Sequence, residues 1–443
     1  MKDQPTQSPP ATVPPGAKQA GEAQARDRWL WVEASVWTER MLTALEDGVK
    51  GGLWFSLIDK VHSPRNLQSA WAKTAGNGGA AGVDHVTLAR FENDLEANLT
   101  ELSEQLRQGT YRPAAVRRTY IPKADGTPRP LGIPTVRDRV VQGALRHVLE
   151  PIFEKDFAEH SYGFRPGKGA KDALRRVDEL LKAGYVHVVD ADLKSYFDTI
   201  PHPKLMQQVR RKVADGRVLK QIESFLNAGV MEGLSQWTPA AGAPQGAVIS
   251  PLLSNLYLDP LDHRMASRGW QMVRYADDFV VLCRSEAEAR EALEAVRQWT
   301  EQSGLTLHEH KTRLVNAQTE GFEFLGYRFE QGRHWPRDKS VQKLKEAVRR
   351  KTRRTSGQSL EQILADVNPT LRGWYGYFKH GPRAMLARLD GWVRMRLRSI
   401  LRKRQRRRGR GRGSDHQRWP NVYFAERGLF SLNDAHVLDC QPV

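Results

Sequence analysis

The chain has 443 residues, of which 40% are hydrophobic, so it is long enough for two or three globular domains. Its formal net charge of +18 indicates a polyanionic partner, most often nucleic acid, with an anionic membrane surface as the alternative. The sequence contains no apolar stretch of membrane-spanning length, and its two cysteines, Cys283 and Cys440, exclude a disulfide scaffold and a cysteine zinc site.

The first 27 residues are rich in Pro, Ala, Gln and Gly and contain no aromatic residue. Such a segment buries too little apolar surface to become ordered, which predicts a disordered tail. No secretory signal is visible, so we expect a cytoplasmic protein without a membrane segment. Further along, leucines and a phenylalanine recur at three- and four-residue steps between Leu88 and Leu106. This period predicts one amphipathic helix that ends at Gly109.

A predicted β-hairpin follows, with Asp125-Gly126 at its tip. Lys123 and Arg129 flank the tip on opposite strands. Two basic residues placed in this way can close on a triphosphate, and an arginine can bind it in a bidentate manner. A pair of exposed basic residues on a β-ribbon is the simpler interpretation of the hairpin when it is taken alone.

The segment from Ser161 to Gly169 is basic, glycine-rich and aromatic, which is typical of contacts with a nucleic-acid backbone. Arg165 and Lys168 are its candidate contacts. After a predicted helix, a buried strand ends in two acids, Asp190 and Asp192. Residues two apart on a strand share a face, so these carboxylates would point the same way.

A second acidic cluster lies in the segment Arg274–Val281, which reads as strand, tight turn and strand. Asp277 and Asp278 stand at its bend, where aspartate is favoured. Adjacent carboxylates repel each other unless a cation lies between them, and hard oxygen ligands suit Mg²⁺. An isolated Asp-Asp pair is more often a solvated surface turn, so the rest of the chain has to decide between the two interpretations.

Helices, strands and hairpins alternate between residues 186 and 329, which predicts an α+β domain with helices on one face of a sheet. From about residue 340 the pattern becomes helical and basic, and eleven of the nineteen positions from Arg394 to Arg412 are Lys or Arg. We predict a separate all-α unit and a phosphate-binding segment. The candidate nucleic-acid contacts there are Arg349, Arg350, Arg353, Arg404, Arg406, Arg407, Arg408, Arg410 and Arg412.

Together these features meet the needs of nucleotide polymerisation. That reaction uses two divalent ions about 3.5–4 Å apart, held by carboxylates on neighbouring strands. Asp192 on one strand and Asp277-Asp278 on the adjacent hairpin would supply the carboxylates. Lys123 and Arg129 would bind the triphosphate, and an aromatic residue near Asp192 would check the sugar.

At this point the sequence resembles the bacterial group II intron reverse transcriptase/maturases over about residues 50 to 432. The resemblance is carried, in family order, by GAAGVD, IPKADGTPRPLGIPTVRDRV, SYGFRPG, DADLKSYFDTI, GAPQGAVISPLLSNLYL, RYADDFVVL, GLTLHEHKTRLV, FEFLGYRF and LRGWYGYF. It implies a right-hand polymerase fold. The expected divisions are a disordered tail (1–27), reverse transcriptase fingers and palm (28–330), an α-helical thumb/maturase domain (331–403) and a basic, DNA-binding-like C-terminal segment (404–443).

The resemblance also implies roles for single residues. Asp192, Asp277 and Asp278 would be catalytic and would bind two Mg²⁺ ions, with Mn²⁺ as a possible substitute and the Leu193 carbonyl as a further ligand. Asp277 and Asp192 would bridge the ions, and Asp278 would be peripheral. Asp190 is a rival of Asp192, although its spacing to the aromatic residue fits less well. The implied nucleotide contacts are Lys123, Arg129, the sugar gate Phe197, and Gln245 and Gly246 beside the nascent base pair, with Lys311 as a candidate general acid.

The implied activity is RNA-directed DNA synthesis from deoxynucleoside triphosphates on a DNA primer, combined with binding of group II intron RNA to assist splicing. The chain stops where many relatives continue into a cysteine-containing endonuclease, so the endonuclease-lacking type is expected. Two alternatives stay open: a domesticated reverse transcriptase in phage defence, CRISPR adaptation or repair, and a catalytically idle splicing chaperone. The intact acidic residues argue against the chaperone. The sequence gives neither the oligomeric state nor the identity of the RNA.

Overall fold

The computed structural model of the protein describes residues 28–122, 128–233, 235–407, 409, 411 and 413–439. Four residues with predicted binding roles, Lys123, Arg408, Arg410 and Arg412, lie outside the described residues. The same is true of the segment 1–27, for which a disordered tail was predicted.

Eleven strands in the described part form three sheets, in the orders β2-β1-β4-β5, β6-β7-β3-β8 and β11-β10-β9. We call them the fingers sheet, the palm sheet and the small sheet. The strands are β1 Val116–Pro122, β2 Pro128–Ile133, β3 His187–Asp192, β4 Val230–Glu232, β5 Ser235–Trp237, β6 Gln271–Tyr275, β7 Asp278–Cys283, β8 Arg313–Asn316, β9 Phe322–Phe324, β10 Tyr327–Glu330 and β11 Arg333–Pro336.

Helices account for most of the remaining described residues. The α-helices are Glu39–Asp47, Ile58–Val61, Pro64–Asn77, Leu88–Asn93, Leu95–Gln108, Val136–Glu154, Ala170–Lys182, Tyr196–Thr199, His202–Arg210, Gly216–Leu226, Ser250–Ser267, Glu286–Ser303, Asp338–Lys351, Leu360–Phe378, Arg383–Arg404, Asp415–Arg418, Asn421–Glu426 and Leu432–Asp439, with a 3₁₀ turn at Lys50–Gly52.

The palm sheet is antiparallel and is covered on both faces. Alternation along β3 sends Val189 and Ala191 into the main core, and Val188 into a second core. The helices Ser250–Ser267 and Glu286–Ser303 contribute to the main core, whereas Ala170–Lys182 and the small sheet contribute to the second one. The expectation of helices on one face only is therefore wrong. Asp190 and Asp192 share the parity of Val188, so they lie on the side of the second core.

The antiparallel pairing of β1 with β2 confirms the predicted hairpin, with Ile121 opposite Arg129. The long amphipathic helix is instead two helices that meet at Asp94. The backbone of Asp94 leaves the helical region there, and Asn98 donates a side-chain hydrogen bond to the Phe91 carbonyl at 3.0 Å across the break. Gly109 ends the second helix in the left-handed conformation, as predicted.

The predicted all-α unit has its own hydrophobic core. Its first helix begins at Asp338, because β11 extends to Pro336. Trp419, Phe424 and Leu432 are buried in the same core. The buried Asp390 accepts backbone hydrogen bonds from Leu432 and Asn433, each at 2.9 Å, and so caps the last helix. The segment from Trp419 to Asn433 thus packs onto the helical unit.

Within the described residues, the search for a helix with the length and apolar character of a membrane span finds none.

Candidate active site

The two acidic clusters of the sequence meet in the palm sheet. The register of β3 and β7 places Asp192 directly opposite Asp278. Side chains at directly opposite positions of an antiparallel pair lie on the same face, with Cβ atoms about 4.5–5.5 Å apart. Asp190 lies diagonally from Asp278 on that face, since its own partner is Val280. Asp277 occupies the turn between β6 and β7.

The turn is held from inside by Arg274, whose side chain is fully buried. Its guanidinium donates to the Ala276 carbonyl and to the Asn255 side-chain oxygen, each at 2.9 Å. It also forms a buried ion pair with Asp262, which accepts from Nε at 2.8 Å. Ala276 has a φ of 60°, an unfavourable value for a residue with a Cβ, so these contacts hold a strained backbone in place.

The glycine-rich segment that begins at Ser161 packs onto the same turn. A Cβ on Gly163 would stand 2.2 Å from the Ala276 nitrogen, a distance that no side chain tolerates. Asn255 donates to the Gly163 carbonyl at 2.7 Å, and Tyr162 donates its backbone N–H to the Arg274 carbonyl at 2.8 Å. One asparagine therefore ties the glycine segment to the arginine that supports the turn.

Burial raises the pKa of both aspartates of the turn. Desolvation in the cleft, followed by repulsion from Asp190, Asp277 and Asp192, raises the pKa of Asp278 to about 7. Burial also raises the pKa of Asp277, and the positive charge of Arg129 opposes this shift. Asp278 remains accessible to solvent at the surface of the cleft, so neighbouring charge contributes to its shift together with desolvation.

Two basic side chains on the other side of β3 oppose this negative charge. The Lys311 ammonium contacts the Asp192 carboxylate, and Arg313 on β8 contacts the Asp190 carboxylate at 3.2 Å. Lys311 follows the isolated bridge between Leu193 and Leu307 and precedes β8. Both basic residues line an open cleft of about 890 Å³, together with the acids of the two strands.

The residue types fit hard divalent cations, because such ions prefer carboxylate oxygens and Asp192 lies opposite Asp278, with Asp277 next to it in the chain. In this conformation, no group of three His, Cys, Asp or Glu side chains among the described residues is arranged to hold a metal ion. Leu193 is buried beside these acids, and the predicted role of its carbonyl stays a prediction.

The predicted nucleotide contacts come together around Gln245. Arg129 donates its Nε–H to the Gln245 side-chain oxygen at 2.9 Å, and the Gln245 amide nitrogen lies 3.5 Å from an Asp198 carboxylate oxygen. The Gln245 carbonyl accepts from the Gly132 N–H at 2.6 Å. Gly246 has a φ of 107°, and a Cβ there would stand 2.4 Å from the Gly132 carbonyl oxygen. Glycine is therefore required where this loop meets the fingers sheet.

Phe197 lies in the first turn after β3, and its ring is buried. Together with Gln245 and Gly132 it lines a pocket of about 330 Å³ between the fingers sheet and the palm. Its backbone carbonyl accepts from the Ala243 N–H at 2.7 Å, which fixes the residue relative to the Gln245 loop. The structure thus brings Phe197, Arg129 and Gln245 to one side of the carboxylates.

The prediction that Arg165 binds nucleic acid is wrong. Its guanidinium is buried, forms an ion pair with Glu154 at 2.7 Å and donates to the Ser161 carbonyl at 2.9 Å. A guanidinium satisfied in this way holds the loop and has no face left for a phosphate. Lys168 is half-buried, contacts the Glu159 carbonyl and lies 5.4 Å from the centre of the Tyr162 ring. It is therefore largely engaged within the protein.

The predicted basic surface of the helical unit is exposed where it is described: Arg349, Arg350, Arg353, Arg404, Arg406 and Arg407. Arg349 also lies 5.6 Å from the centre of the Trp392 ring, a cation–π contact that leaves the side chain at the surface.

Sequence reasoning missed the residues that support the turn, Arg274, Asn255, Asp262 and Gly163. One signal was present for Arg274, because an arginine inside an apolar strand needs a buried acidic partner. The partner Asp262 lies on the helix Ser250–Ser267, and nothing in the sequence connects that helix face with β6.

Two family models match this chain. One is described as "Reverse transcriptase (RNA-dependent DNA polymerase)" and matches residues 121–329. The other is described as "Group II intron, maturase-specific domain" and matches residues 341–419. The first match contains Asp192, Asp277 and Asp278, and the second covers most of the helical unit.

The chain is 36% identical to Protein YkfC of Escherichia coli (strain K12) over 314 residues, which cover 61% of this chain and 82% of that protein. It is 39% identical to the group II intron-encoded protein LtrA of Lactococcus lactis subsp. cremoris over 168 residues, 38% of this chain and only 28% of LtrA. A solved partial Cas6-RT-Cas1–Cas2 complex contains a chain with a TM-score of 0.37 and 26% identity, covering 56% of this chain and 41% of that chain.

Proposed function

The chain belongs to the group II intron-encoded reverse transcriptase/maturases, and from this premise we propose that its palm cleft copies RNA into DNA by two-metal nucleotidyl transfer. Enzymes of this family are RNA-directed DNA polymerases that use divalent metal ions. We further propose Mg²⁺ as the ion, with Mn²⁺ as a substitute, and deoxynucleoside triphosphates, a DNA primer and an RNA template as the partners of the reaction.

One observation supports this proposal above all others: the register that sets Asp192 opposite Asp278, with Asp277 in the adjoining turn. Three carboxylates are costly so close together, and a splicing chaperone that only binds RNA would gain nothing from acids beside RNA phosphates. The shared negative charge is useful if the site holds divalent cations.

In the proposed mechanism, Asp192, Asp277 and Asp278 hold the metal ions. Bound divalent ions would supply positive charge to the attacking 3′-hydroxyl and to the leaving pyrophosphate. The charge of Arg129 acts on Asp277 and opposes the rise of its pKa, so its guanidinium can bind the triphosphate beside the carboxylates. Lys311, which contacts Asp192 here, would donate a proton from Nζ to the leaving pyrophosphate.

On the same proposal, Phe197 would press against the sugar and exclude a 2′-hydroxyl. Its ring is buried, and the hydrogen bond from Ala243 to its carbonyl fixes its backbone, so it has little freedom to move aside. Gln245 and Gly246 would contact the nascent base pair, since Gly246 brings this loop against Gly132 of the fingers sheet.

We also propose that the protein binds group II intron RNA and assists its splicing. The match to the maturase-specific domain and the exposed arginines of the helical unit support this role. Such assistance is binding energy that stabilises the folded RNA, and phosphate contacts of this kind weaken steeply as salt rises.

Primer extension on an RNA template with Mg²⁺ and deoxynucleoside triphosphates tests the polymerase proposal. We expect cDNA from the wild-type chain and a loss of at least about a thousandfold in Asp277→Ala, because a metal ligand is removed. Glu320→Gln, an exposed acid near the cleft, is the matched control and should keep its activity. Equal activity of Asp277→Ala and wild type would refute the metal assignment.

A further inference from the structure

One ion pair on the palm sheet, between Asp190 and Arg313, has no part in the proposed mechanism. Asp190 is on the same face of β3 as Asp192, and β8 places Arg313 directly opposite it. The Arg313 Nε lies 3.2 Å from the Asp190 carboxylate. Both residues line the cleft that contains Asp192 and Asp278.

Asp190 is close enough to the proposed metal ligands to act on them by charge. It is diagonal to Asp278 across the β3–β7 pair, and diagonal positions are about 7–8 Å apart. Asp190 and Asp278 also line the same cleft, with no strand between them. A fourth negative charge therefore acts on the site, and Arg313 is the group that balances it.

The other possible partners of Arg313 are weaker. Glu320 lies 3.9 Å from its Nη1 and is largely exposed. On the acid's side, the Asp190 side chain is four-fifths buried. The strand register thus holds the two side chains opposite each other.

We propose that Arg313 is a positioning residue that neutralises Asp190 and thereby sets the affinity of the Asp192–Asp277–Asp278 site for divalent cations. The inference rests on the proposed metal site. Without Arg313, the charge of Asp190 would add to that of the ligands and would bind cations too tightly. Without Asp190, the unbalanced charge of Arg313 would repel them.

The two single substitutions should therefore change cation affinity in opposite directions. At about 8 Å in water, one unit charge changes the binding of a divalent ion by about fivefold. We expect Arg313→Gln to tighten the binding of Mn²⁺ about fivefold and Asp190→Asn to weaken it about fivefold. The double variant should return to the wild-type affinity, and Arg313→Lys should retain it.

The experiment titrates the full chain, free of nucleic acid, with Mn²⁺ and measures free Mn²⁺ by electron paramagnetic resonance. Thermal unfolding checks that each variant is folded. Glu320→Gln, which removes the weaker partner of Arg313, is the control and should bind Mn²⁺ like the wild type. If the pair has a purely structural role, both single variants should bind Mn²⁺ more weakly than the wild type, or both should bind it equally tightly. Either result overturns the inference.

Should Arg313→Gln fail to fold, Asp190→Asn decides alone. Weaker Mn²⁺ binding by this folded variant supports the inference, and unchanged binding overturns it.

Asp277→Ala separates this inference from the proposed function. If Asp277→Ala binds Mn²⁺ as tightly as the wild type, the metal site itself is misassigned. If it loses binding while the Arg313 and Asp190 variants show no change, only the role of Arg313 is refuted.

Discussion

Arg274 donates a hydrogen bond of 2.9 Å to the carbonyl of Ala276, the residue directly before the paired aspartates. A fully buried guanidinium thus supports the strained turn from the protein interior. The carboxylates can face solvent and cations because the turn that carries them is fixed from within, and not because the acids interact favourably with one another.

We therefore predict that Arg274→Met destabilises the protein by about 3–5 kcal/mol, because it leaves the buried carboxylate of Asp262 without a partner. Chemical denaturation of the metal-free protein measures this difference. Arg290→Met is the matched control, since its pair with Glu286 is exposed on a helix and contributes about 0.3–0.5 kcal/mol. Equal effects of the two substitutions would show that the Arg274 network does not support the turn.

A second prediction concerns the close approach of Gly163 to the turn. In Gly163→Ala the new methyl group would meet the Ala276 nitrogen, so the turn has to move. A displacement of about 1 Å at a reacting centre costs roughly a hundredfold in rate, and we expect a loss of this size in primer extension.

Gly373→Ala is the control for this substitution. Gly373 lies in the helix Leu360–Phe378 without a positive φ, and a Cβ there would meet no atom within 4 Å. Activity should stay at the wild-type level in this variant, and stability should rise slightly. Wild-type rates in Gly163→Ala would contradict the proposed packing of the glycine segment on the turn.

Local sequence patterns predict the strand end and the turn that carry the carboxylates. They do not predict the residues that support this turn. Strand alternation and turn chemistry place Asp192 at a strand end and Asp277 in a tight turn, because both signals are local. The sequence offers no comparable signal for Asn255, which reaches both Gly163 and Arg274 from another element.

Arg165 shows that a local pattern can also suggest a role that tertiary packing excludes. Its surroundings in the sequence are basic and glycine-rich, which is typical of a phosphate-binding loop. Its acidic partner Glu154 lies at the end of the preceding helix, and burial of the pair is decided by tertiary packing. The packing of the segment from Trp419 to Asn433 onto the helical unit is also a tertiary effect, since Asp390 caps a helix more than forty positions later.

A third prediction follows from the pKa of Asp278. A carboxyl group with a higher pKa in the folded than in the unfolded chain favours folding at low pH, and this contribution is lost as pH rises through the folded value. The pKa of Asp278 is raised from 3.8 to about 7. Its contribution should therefore be complete below about pH 4 and absent above about pH 7 in metal-free protein.

The measurement compares melting temperatures of wild type and Asp278→Asn from acid to neutral pH. Without metal, the wild type should lose stability relative to the variant as pH approaches 7, because asparagine stays neutral. Saturating Mg²⁺ should reverse this loss, because bound cations stabilise the charged carboxylates. Parallel curves for the two proteins in metal-free buffer would rule out a strongly raised pKa at Asp278.

The last prediction concerns sugar selection by Phe197. Its buried ring and Gln245 line the same pocket, so Phe197→Ala removes the surface against which a 2′-hydroxyl would clash. Ribonucleotide incorporation in primer extension should rise relative to deoxynucleotide incorporation by at least about tenfold. Phe197→Leu, which costs less packing, should show an intermediate ratio if the larger truncation is unstable.

Tyr196→Phe is the control, because its ring packs 5.4 Å from that of Phe197 and only a hydroxyl bonded to the Ser254 carbonyl is lost. If Phe197→Ala keeps the wild-type ratio, another residue selects the sugar. If Tyr196→Phe relaxes it equally, the effect comes from packing and not from a gate.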